Sequence, residues 1–577
     1  MKNFFIGLVA GLLLAGLATL IFVFAMIRLA SSFGARPVRV ADGSTLVLKL
    51  EGDLPEKAPP EIPVPFFQAQ EPLTVQELWQ TFRRAAADSH IKAILFEPRG
   101  LSIGWAKMEE LHDEILQFRK SGKPIITYLQ NPGAREYYLA VATGRIFLMP
   151  EDSLDLKGLS AQSIFIKTTL DKIGVQAEVI HAGKYKDAGD ALTRTSMTPE
   201  TREVLNDVLD QYYGDLVDTI AKGRKKPADA VRALIDNGPY LANEALSNGL
   251  VDTLGYEEQA VQDLESRLKQ RELKRISARS YLRAPLPVSG VTRRIAFVVG
   301  QGDITAGSGN DAVDEQNFSA TAFIQLLKQV EDDSTIRGVI LRIDSPGGDG
   351  VASDNILHEV KILSTKKPLV ISMSDTAASG GYYVASSGDP ILAYPNTLTG
   401  SIGVIFARFT LHGLYDKIGI DKQFLTRGRY AGIDSDYATL TEDEQHKIGG
   451  QVDSFYHAFV NVVAAGRKKN FDQIEPLAQG RVWVGAQAKQ NGLVDALGGL
   501  DQAVEMIRQR AHIPVNEGIT LVPYPGKRSI FEVLFNRQDD STDVELKMAR
   551  TLLGKLPIQA LVHGGYMKLM PYTIDVH

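Results

Sequence analysis

The sequence predicts an α/β protein in which two tandem domains follow an N-terminal transmembrane helix. Segments with helical periodicity alternate with short apolar, β-rich runs, which is the alternation expected of an α/β domain. The same order of segments then occurs a second time, and residues 4–27 carry no charge. A repeat of this length indicates two domains, because the repeats of a solenoid span only about 20–50 residues.

The composition of the chain argues against several classes of function. The chain has 577 residues, of which 44% are hydrophobic and 23% charged, so it is large enough for several folded domains. A net charge of -6 is small for this length and gives no electrostatic reason to expect a nucleic-acid partner. The absence of cysteine excludes disulfides and thiol catalysis. Since no close metal-ligand spacing occurs either, we expect neither a metal nor another cofactor.

Residues 4–28 are predicted to form one transmembrane anchor, since a span needs roughly 20 apolar residues. The alternative is a cleaved signal peptide, whose apolar region is usually only about 7–15 residues long. Lys2 lies on one side of the span, and Arg28, Arg36 and Arg39 lie on the other. The positive-inside rule would, if anything, place the bulk of the chain in the cytoplasm, and composition leaves the side open.

The first predicted domain covers residues 44–268. A strand at 44–50 is followed by a proline-rich loop or flap at 51–72. Helices are then predicted at 75–87, at 107–119 and around Tyr137, with strands at 93–96, 124–129 and 146–149. The basic, proline-bearing residues 269–293 are interpreted as a linker.

The second predicted domain covers residues 294–515 and repeats this order. Helices are predicted at 320–330 and 352–363, with strands at 338–343, 369–373 and 391–394. Residues 516–577 form a C-terminal tail, for which a helix at 544–553 is the only predicted element.

A fixed offset of 245 positions aligns the two domains. Ile91 corresponds to Ile336, Tyr137 to Tyr382, Ile146 to Ile391, Gly158 to Gly403, and Gly183 to Gly428. Later in the chain the offset becomes 243, as Gly223 corresponds to Gly466 and Asn248 to Asn491. The second domain is therefore a duplicate of the first, and positions at which the copies differ are informative.

Ser379 is the candidate nucleophile. It follows the predicted strand 369–373 at a tight strand-to-helix turn, and small residues surround it: Ala377, Ala378, Gly380 and Gly381. The N–H groups and dipole of a following helix would favour an oxyanion there. The alternative is a helix start made of small residues that packs closely on a neighbour.

The two copies differ at two chemically important positions. Ala134 replaces Ser379 in the first copy, and Ala431 replaces Lys186 in the second. A serine hydroxyl needs a base, and a lysine can serve if burial lowers its pKa enough to leave the amine neutral. Lys186 considered alone would be a surface charge. The difference between the copies favours a dyad, whose two groups would meet where the domains meet, within one chain or between neighbours.

Two further motifs complete the candidate site. Ser401 follows the next strand and could orient the lysine, although alone it would be a turn serine. The loop 344–350 contains Gly347 and Gly348, whose amides could face the turn. This loop could instead be a plain connection or a phosphate cradle, but it lacks the G-x-G-x-x-G spacing. A Ser-His-Asp triad stays open through His181, five residues before Lys186.

Together these features resemble peptidase family S49 in its long, duplicated form, signal peptide peptidase A or protease IV. The resemblance covers about residues 40–515 and rests on Gly-Lys-Tyr-Lys in the first copy and Ser-Pro-Gly-Gly, Ala-Ala-Ser-Gly-Gly-Tyr-Tyr and Leu-Thr-Gly-Ser-Ile-Gly-Val in the second. It implies a ClpP/crotonase-like fold, with Ser379 as nucleophile, Lys186 as general base and Ser401 as the group orienting the lysine. It also implies that the amides of Gly348 and Gly380 form the oxyanion hole.

The resemblance also implies a biological setting. We expect a single-pass protein of the inner membrane with its catalytic part on the periplasmic side, which overrides the inference from loop charge. We expect a homotetramer with an apolar interior that degrades signal peptides and other hydrophobic peptides. One departure is that Asp-Ala-Gly-Asp follows Lys186, where the family has a continuation of the Ser-Ala-Val-Glu-Pro type.

Two other functions remain as alternatives at this point. A catalytically silent, membrane-anchored scaffold of the same fold would organise membrane partners without cleaving them. Crotonase-type acyl-CoA chemistry would use the glycine amides to hold a thioester oxyanion. The second alternative explains neither the serine turn nor the predicted membrane span.

Overall fold

The computed structural model describes residues 38–58, 72–285, 291–307, 317–526 and 565–570. The predicted anchor at 4–28 and the predicted tail helix at 544–553 lie outside these ranges. Across the ranges that are described, no helix combines the length and apolar character needed to cross a membrane.

The first repeat contains a six-stranded sheet in which all strands run parallel. Its strand order is Thr253–Leu254, Arg145–Leu148, Ile125–Leu129, Ile91–Leu101, Ser44–Gly52 and Lys274–Ser277. Helices cover both faces, so the central strands are almost continuously apolar and buried, as parallel sheets require. The outermost strand lies within the predicted linker, where Lys274–Ser277 adds to this sheet.

The second repeat contains the corresponding sheet. Its order is Val482–Val484, Leu398–Gly400, Leu369–Ala378, Ile336–Ser345, Thr292–Gln301 and Gly518–Tyr524, with Ile391–Ala393 and Ala496–Leu497 branching from Leu369–Ala378. All neighbours are parallel except the first pair, which is antiparallel. The outer strand Gly518–Tyr524 belongs to the predicted tail. Because helices and parallel strands alternate in both repeats, the α/β prediction is confirmed.

Helices flank both sheets. Those of the first repeat are Val75–Ala87, Trp105–Arg119, Ala134–Ala140, Lys167–Ile173, Asp190–Thr193, Pro199–Arg224, Ala228–Asp236, Ala242–Ser247, Glu257–Leu268 and Ala278–Arg283. Those of the second are Ala320–Asp332, Gly350–Lys366, Gly380–Ala385, His412–Ile418, Glu442–Gly466, Phe471–Ile474, Gly485–Asn491 and Leu500–Arg510. Local sequence explains individual boundaries: Thr74 caps the first helix by accepting from the amide of Glu77, whose side chain caps Thr74 in return.

A third sheet joins the repeats. Its order is Asn317–Ser319, Asp303–Thr305, Gly347–Asp349, Gly565–Leu569, Val404–Thr410 and Gln176–Ala182. The last strand comes from the first repeat and runs antiparallel to Val404–Thr410 of the second. A separate two-stranded sheet pairs Ser153–Leu154 with Tyr240–Leu241. Backbone hydrogen bonds therefore bind one repeat directly to the other.

The repeats also share a hydrophobic core. The largest cluster of buried apolar side chains includes Leu46 and Phe96 of the first repeat together with Phe297, Ile340 and Val370 of the second. Burial of a side chain of this size stabilises the fold by about 1.5–3 kcal/mol. The two repeats thus form one folded body, and the extent of each predicted domain stays a prediction.

Candidate active site

Ser379 lies at the turn between the strand Leu369–Ala378 and the helix Gly380–Ala385. Its backbone angles are φ 52° and ψ -114°, a sparsely populated region that costs a residue with a side chain of order 1–3 kcal/mol. Two backbone hydrogen bonds hold this conformation: the Ser379 amide donates to Gly400 O at 2.8 Å, and the amide of Tyr383 donates to Ser379 O at 2.8 Å. The turn keeps the hydroxyl at the end of the strand.

The side chains of Lys186, Ser379 and Ser401 meet at one point. Lys186 Nζ donates to Ser379 Oγ at 2.9 Å, to Ser401 Oγ at 2.9 Å and to the Ser401 carbonyl at 2.9 Å. All three residues are completely buried. The structure therefore brings together the serine of one repeat and the lysine of the other within a single chain.

Burial controls the charge of this lysine. Removal from water lowers the pKa of Lys186 well below its ordinary value, and the neighbouring Asp187 only partly opposes this effect. Burial also raises the pKa of Asp187 to about 6, so its own negative charge is weakened. The Thr201 hydroxyl donates a hydrogen bond to Asp187. A lysine in this setting can hold a neutral amine that accepts a proton.

Glycines let the lysine segment insert between loops of the second repeat. A Cβ added to Gly480 would lie 2.5 Å from Lys186 Cβ, and one added to Gly403 would lie 3.0 Å from Lys186 Cδ. The amide of Tyr185 donates to Gln479 O at 2.9 Å and fixes the segment there. Sequence reasoning did not assign Gly480 to the site, because its role depends on a contact between distant parts of the chain.

The backbone around Gly348 and Gly380 is closely packed beside Ser379. A Cβ added to Gly347 would lie 2.7 Å from Gly380 N and 3.0 Å from Ser379 Cβ. A Cβ added to Gly380 would lie 3.2 Å from Gly348 N. Gly347 has φ 107° and Gly348 has φ 148°, a conformation that favours glycine. Both predicted amide donors are thus close to the serine turn.

Comparison with known proteins identifies the family. The sequence profile described as "Peptidase family S49" matches residues 117–271 and 361–514, one stretch in each repeat. The chain belongs to peptidase family S49. The resemblance to its long, duplicated form is therefore confirmed.

Two relatives cover most of this S49 chain. It is 35% identical over 491 residues to "Serine protease SPPA, chloroplastic" of Arabidopsis thaliana, covering 84% of this chain and 72% of that protein. It is 30% identical over 424 residues to "Protease 4" of Haemophilus influenzae, covering 70% of this chain and 68% of that protein. A solved mutant of ClpP1 from Listeria monocytogenes matches with 14% identity and a TM-score of 0.23, over 36% of this chain and 94% of that one. A TM-score this low supports no conclusion.

In this S49 chain a C-terminal strand lies in front of the serine turn. Gly565–Leu569 runs antiparallel to Gly347–Asp349 on one side and to Val404–Thr410 on the other. The carbonyl oxygen of Lys568 lies 2.0 Å from the position that a Cβ on Gly347 would take. The chain's own backbone therefore lies close to Gly347, beside the serine turn. Sequence analysis did not find this strand, because it forms through pairing with segments that are distant in the sequence.

The side chain of Lys568 is itself buried. Its Nζ donates to Gly350 O at 3.1 Å and lies 3.2 Å from the centre of the Tyr383 ring. The Tyr383 hydroxyl donates to Asp354 at 2.6 Å, which makes the ring a better partner for a cation. Burial nevertheless lowers the pKa of Lys568 to about 7. The pocket therefore holds the aliphatic stem well and the positive charge poorly.

A buried ion cluster joins the repeats through the strands that lead to the site. Arg342, on the strand Ile336–Ser345, donates to Glu56 at 2.9 Å and to Glu110 at 2.6 Å, and both carboxylates come from the first repeat. Arg342 also donates to Ser372 Oγ at 2.9 Å, on the strand that ends at the nucleophile. Glu56 lies in the stretch predicted as a proline-rich flap, and that composition gave no sign of a buried contact.

The structure gives no support to a triad built on His181. This side chain is exposed, and its Nδ1 lies 3.1 Å from the Gly183 carbonyl. The atom that contacts Ser379 Oγ is the amine of Lys186.

Proposed function

We propose that this S49 protein is a serine endopeptidase in which Ser379 attacks a peptide carbonyl and Lys186 acts as the general base. The observation that supports the proposal most directly is the 2.9 Å contact between Lys186 Nζ and Ser379 Oγ in a completely buried setting. A desolvated lysine with a lowered pKa is the kind of base that such a serine requires.

The proposed reaction has two steps. Ser379 Oγ bonds to the carbonyl carbon while its proton passes to Lys186 Nζ, and the amides of Gly348 and Gly380 hold the oxyanion. Lys186 then donates the proton to the leaving amine as the C–N bond breaks. Water, deprotonated by the same amine, hydrolyses the ester and frees the serine. Ser401 acts as a positioning residue, because its hydroxyl and carbonyl accept from Lys186 and fix the direction of the amine.

We propose that substrates bind as an extended strand beside Gly347–Asp349. The support is that the strand Gly565–Leu569 takes this place in the structure, with the Lys568 carbonyl oxygen close to Gly347. Main-chain pairing of this kind gives affinity with little sequence preference. Hydrophobic peptides, including released signal peptides, are the proposed substrates. Preferential cleavage of polar, soluble peptides would contradict that part of the proposal.

The setting is also proposed. Residues 4–28 anchor the chain in the inner membrane with the catalytic part on the periplasmic side, and the chain forms a homotetramer. The uncharged run 4–27 supports the anchor, and the resemblance to the long S49 form supports the side and the assembly. Each repeat is proposed to have the ClpP/crotonase-like fold, which the parallel sheets covered by helices support.

A serine-directed acylating probe tests the mechanism. Full-length protein in detergent should be labelled at Ser379 and should cleave a signal-peptide-like substrate, whereas Ser379→Ala should do neither. A protein that is folded but neither labelled nor active would favour the silent scaffold.

Mixing the Ser379→Ala protein with the Lys186→Ala protein tests whether the two residues of the dyad come from one chain or from two. Because the two groups meet within one chain, mixing should restore no activity.

A further inference from the structure

The strand that leads to Ser379 contains a bulge where it pairs with its neighbour. The register shifts between Ile343 and Ser345, so that residues 374–376 of the nucleophile strand face Asp344 alone. The regular ladder of backbone hydrogen bonds is interrupted there. A bulge bends a strand and re-aims the residues that follow it. The shape of this bulge therefore affects where the end of the nucleophile strand points.

Two carboxylates lie at the bulge, one on each strand. The Thr376 amide donates a hydrogen bond to Asp344 Oδ1 at 3.1 Å, in place of a bond of the interrupted ladder. In the sequence Asp344 lies four residues before Gly348, and Asp375 lies four residues before Ser379. Each carboxylate is thus one step away from a different part of the proposed site.

The first repeat supplies a buried cation to this bulge. Lys107, near the start of the helix Trp105–Arg119, is only 4% exposed. Its Nζ lies 2.8 Å from Asp344 Oδ2 and 3.5 Å from Asp375 Oδ2, and its backbone amide donates to Asp375 Oδ1 at 2.9 Å. A Cβ added to Gly104 would lie 2.2 Å from Asp375 Cγ, so the helix start packs directly against this carboxylate.

The cation and the carboxylates are divided between the two repeats. At the two carboxylate positions the first repeat has Arg99 and Gln130, by the offset of 245. At the position of the lysine the second repeat has Ala352. The first repeat therefore has the cation without the carboxylates, and the second has the carboxylates without the cation. The same division separates the proposed base from the proposed nucleophile.

Lys107 also limits the excess of negative charge around the bulge. Glu56 and Glu110 reach the same region through Arg342, so four carboxylates lie around two cations. Burial raises the pKa of Asp375 to about 6, and Lys107 opposes this rise. Without the lysine the excess of negative charge would be larger and the pKa of Asp375 would rise further. Lys107 therefore provides the positive charge that holds both carboxylates at the bulge.

We propose that Lys107 is a positioning residue for the proposed peptidase reaction. By holding Asp344 and Asp375 together, it fixes the shape of the bulge. That shape sets the spacing between Ser379 and the amide of Gly348, which must face the same oxyanion. Displacement of reacting groups by about 1 Å can lower a rate about 100-fold, even when the substituted residue lies away from the chemistry. The inference rests on the proposed function.

Kinetics of single variants test this role in the full-length protein in detergent. Lys107→Met should lower kcat on a fluorogenic hydrophobic peptide by about 10–100-fold and leave KM within about twofold, because substrate still binds while the reacting groups are displaced. Asp344→Asn keeps the size of the side chain and an oxygen for the Thr376 amide, so it provides the test if Lys107→Met does not fold. Its kcat should fall about tenfold. A wild-type kcat in the folded variants would overturn the proposal.

Glu114→Gln is the matched control. Glu114 lies seven residues further along the same helix, is buried, and faces Asp501 of the second repeat, where burial raises its pKa to about 9. The substitution alters a buried contact between the repeats without touching the bulge, so it should change thermal stability and leave kcat as in wild type. An equal loss of kcat in Glu114→Gln would contradict a specific role for Lys107.

A peptide aldehyde separates positioning from stability. Its adduct with the serine places an oxygen where the oxyanion forms, so its affinity reports the geometry of the oxyanion hole. In Lys107→Met this affinity should fall in parallel with kcat/KM, while the affinity for a cleaved product peptide stays as in wild type. Aldehyde affinity equal to that of wild type would overturn the proposal. An inactive wild type would refute the proposed function, and this inference with it.

A double variant tests whether the two residues act through one contact. Lys107→Met combined with Asp344→Asn should be no slower than Lys107→Met alone, because residues that act through the same contact are not additive. Additive losses of kcat would show that the two side chains act separately and would overturn the proposed route through the bulge, while the activity of the wild type would leave the proposed peptidase intact.

Discussion

The helix-start turn has opposite properties in the two repeats. In the first, Gly133 precedes the helix with φ -94°, and Glu136 accepts from its amide at 2.8 Å and from that of Leu101 at 2.6 Å. In the second, Ser379 precedes the helix with φ 52° and no side chain caps it. The position of Glu136 is taken there by Gly381.

This difference shows that, after duplication, one helix start kept a stabilising cap and the other kept the proposed nucleophile. The first turn satisfies its amides with a carboxylate of its own, which stabilises a helix N-terminus. The second turn has no such side-chain cap and has a strained backbone angle at Ser379. The first repeat in turn supplies Lys186, and the second has Ala431 at that position. Each repeat has kept one of the two residues of the proposed dyad.

Ser379→Ala makes the second turn resemble the first and should have the largest effect. Peptide cleavage should fall by about 10⁴-fold or more, since loss of the nucleophile removes the covalent route. Initial rates with a fluorogenic hydrophobic peptide measure this. Ala134→Ser is the matched control and should create no second site, because Ala431 stands where the second repeat would need the equivalent of Lys186. Retained activity in Ser379→Ala would show that another residue is the nucleophile.

Lys186→Met removes the base while keeping an apolar side chain of similar length. We expect kcat to fall by about 10²–10⁴-fold, the range usual for a general base, with KM changed much less. Labelling of Ser379 by an acylating probe should slow in parallel. Thermal unfolding is the control for folding, and a variant that folds and turns over like wild type would exclude Lys186 as the base.

The pH dependence follows from the lowered pKa of Lys186. The amine must be neutral to accept a proton, so activity should fall about tenfold per pH unit below that pKa and level off above it. Rate measurements over a pH series should give an inflection well below the ordinary value for lysine, 10.5. An inflection near 10.5 would mean that the lysine is solvated in the working enzyme.

Substitutions of Lys568 test whether the C-terminal strand competes with substrate. Lys568→Glu places a carboxylate in a buried site next to Asp354 and should release the strand, lowering KM by about tenfold with kcat unchanged. Lys568→Met keeps the stem without the poorly held charge and should raise KM. Lys361→Ala, an exposed lysine on the helix Gly350–Lys366, is the control. Identical KM values in all these proteins would show that the strand does not obstruct the site.

Glu136→Ala should have the smallest effect. It removes two buried hydrogen bonds that cap the inert turn, so the free energy of unfolding should fall by about 1–3 kcal/mol. Chemical denaturation measures this change. Peptidase activity should be that of wild type, because Glu136 belongs to the turn without a nucleophile. A loss of activity without a loss of stability would link the two turns in a way that the structure does not predict.

Much of the fold could be predicted because short-range sequence patterns determine it. Helical periodicity and apolar runs predict the helix Val75–Ala87 and the interior of the strand Leu369–Ala378, and the offset of 245 indicates the duplication. The same offset singles out Ser379 and Lys186, since a difference between aligned copies is visible without a structure. Their chemical roles stay predictions.

The remaining features depend on contacts between distant residues. No local pattern indicates that Glu56, in a proline-rich stretch, meets Arg342, or that Lys274–Ser277 extends a sheet. The strand Gly565–Leu569 pairs with Gly347–Asp349 and Val404–Thr410, which lie far from it in the sequence. Gly480 likewise belongs to the site only because the backbone and Cβ of Lys186 pack directly against it.

The pairing of Gln176–Ala182 with Val404–Thr410 has a consequence for biosynthesis. The ribosome completes the first repeat long before the second, and the first repeat contains Lys186 without Ser379. Peptidase activity would arise only after the second repeat has emerged and the two strands have paired. Under the proposed mechanism, a nascent or prematurely terminated chain would cleave no peptides, and the order of synthesis would restrain the activity as a removable pro-segment does in other proteases.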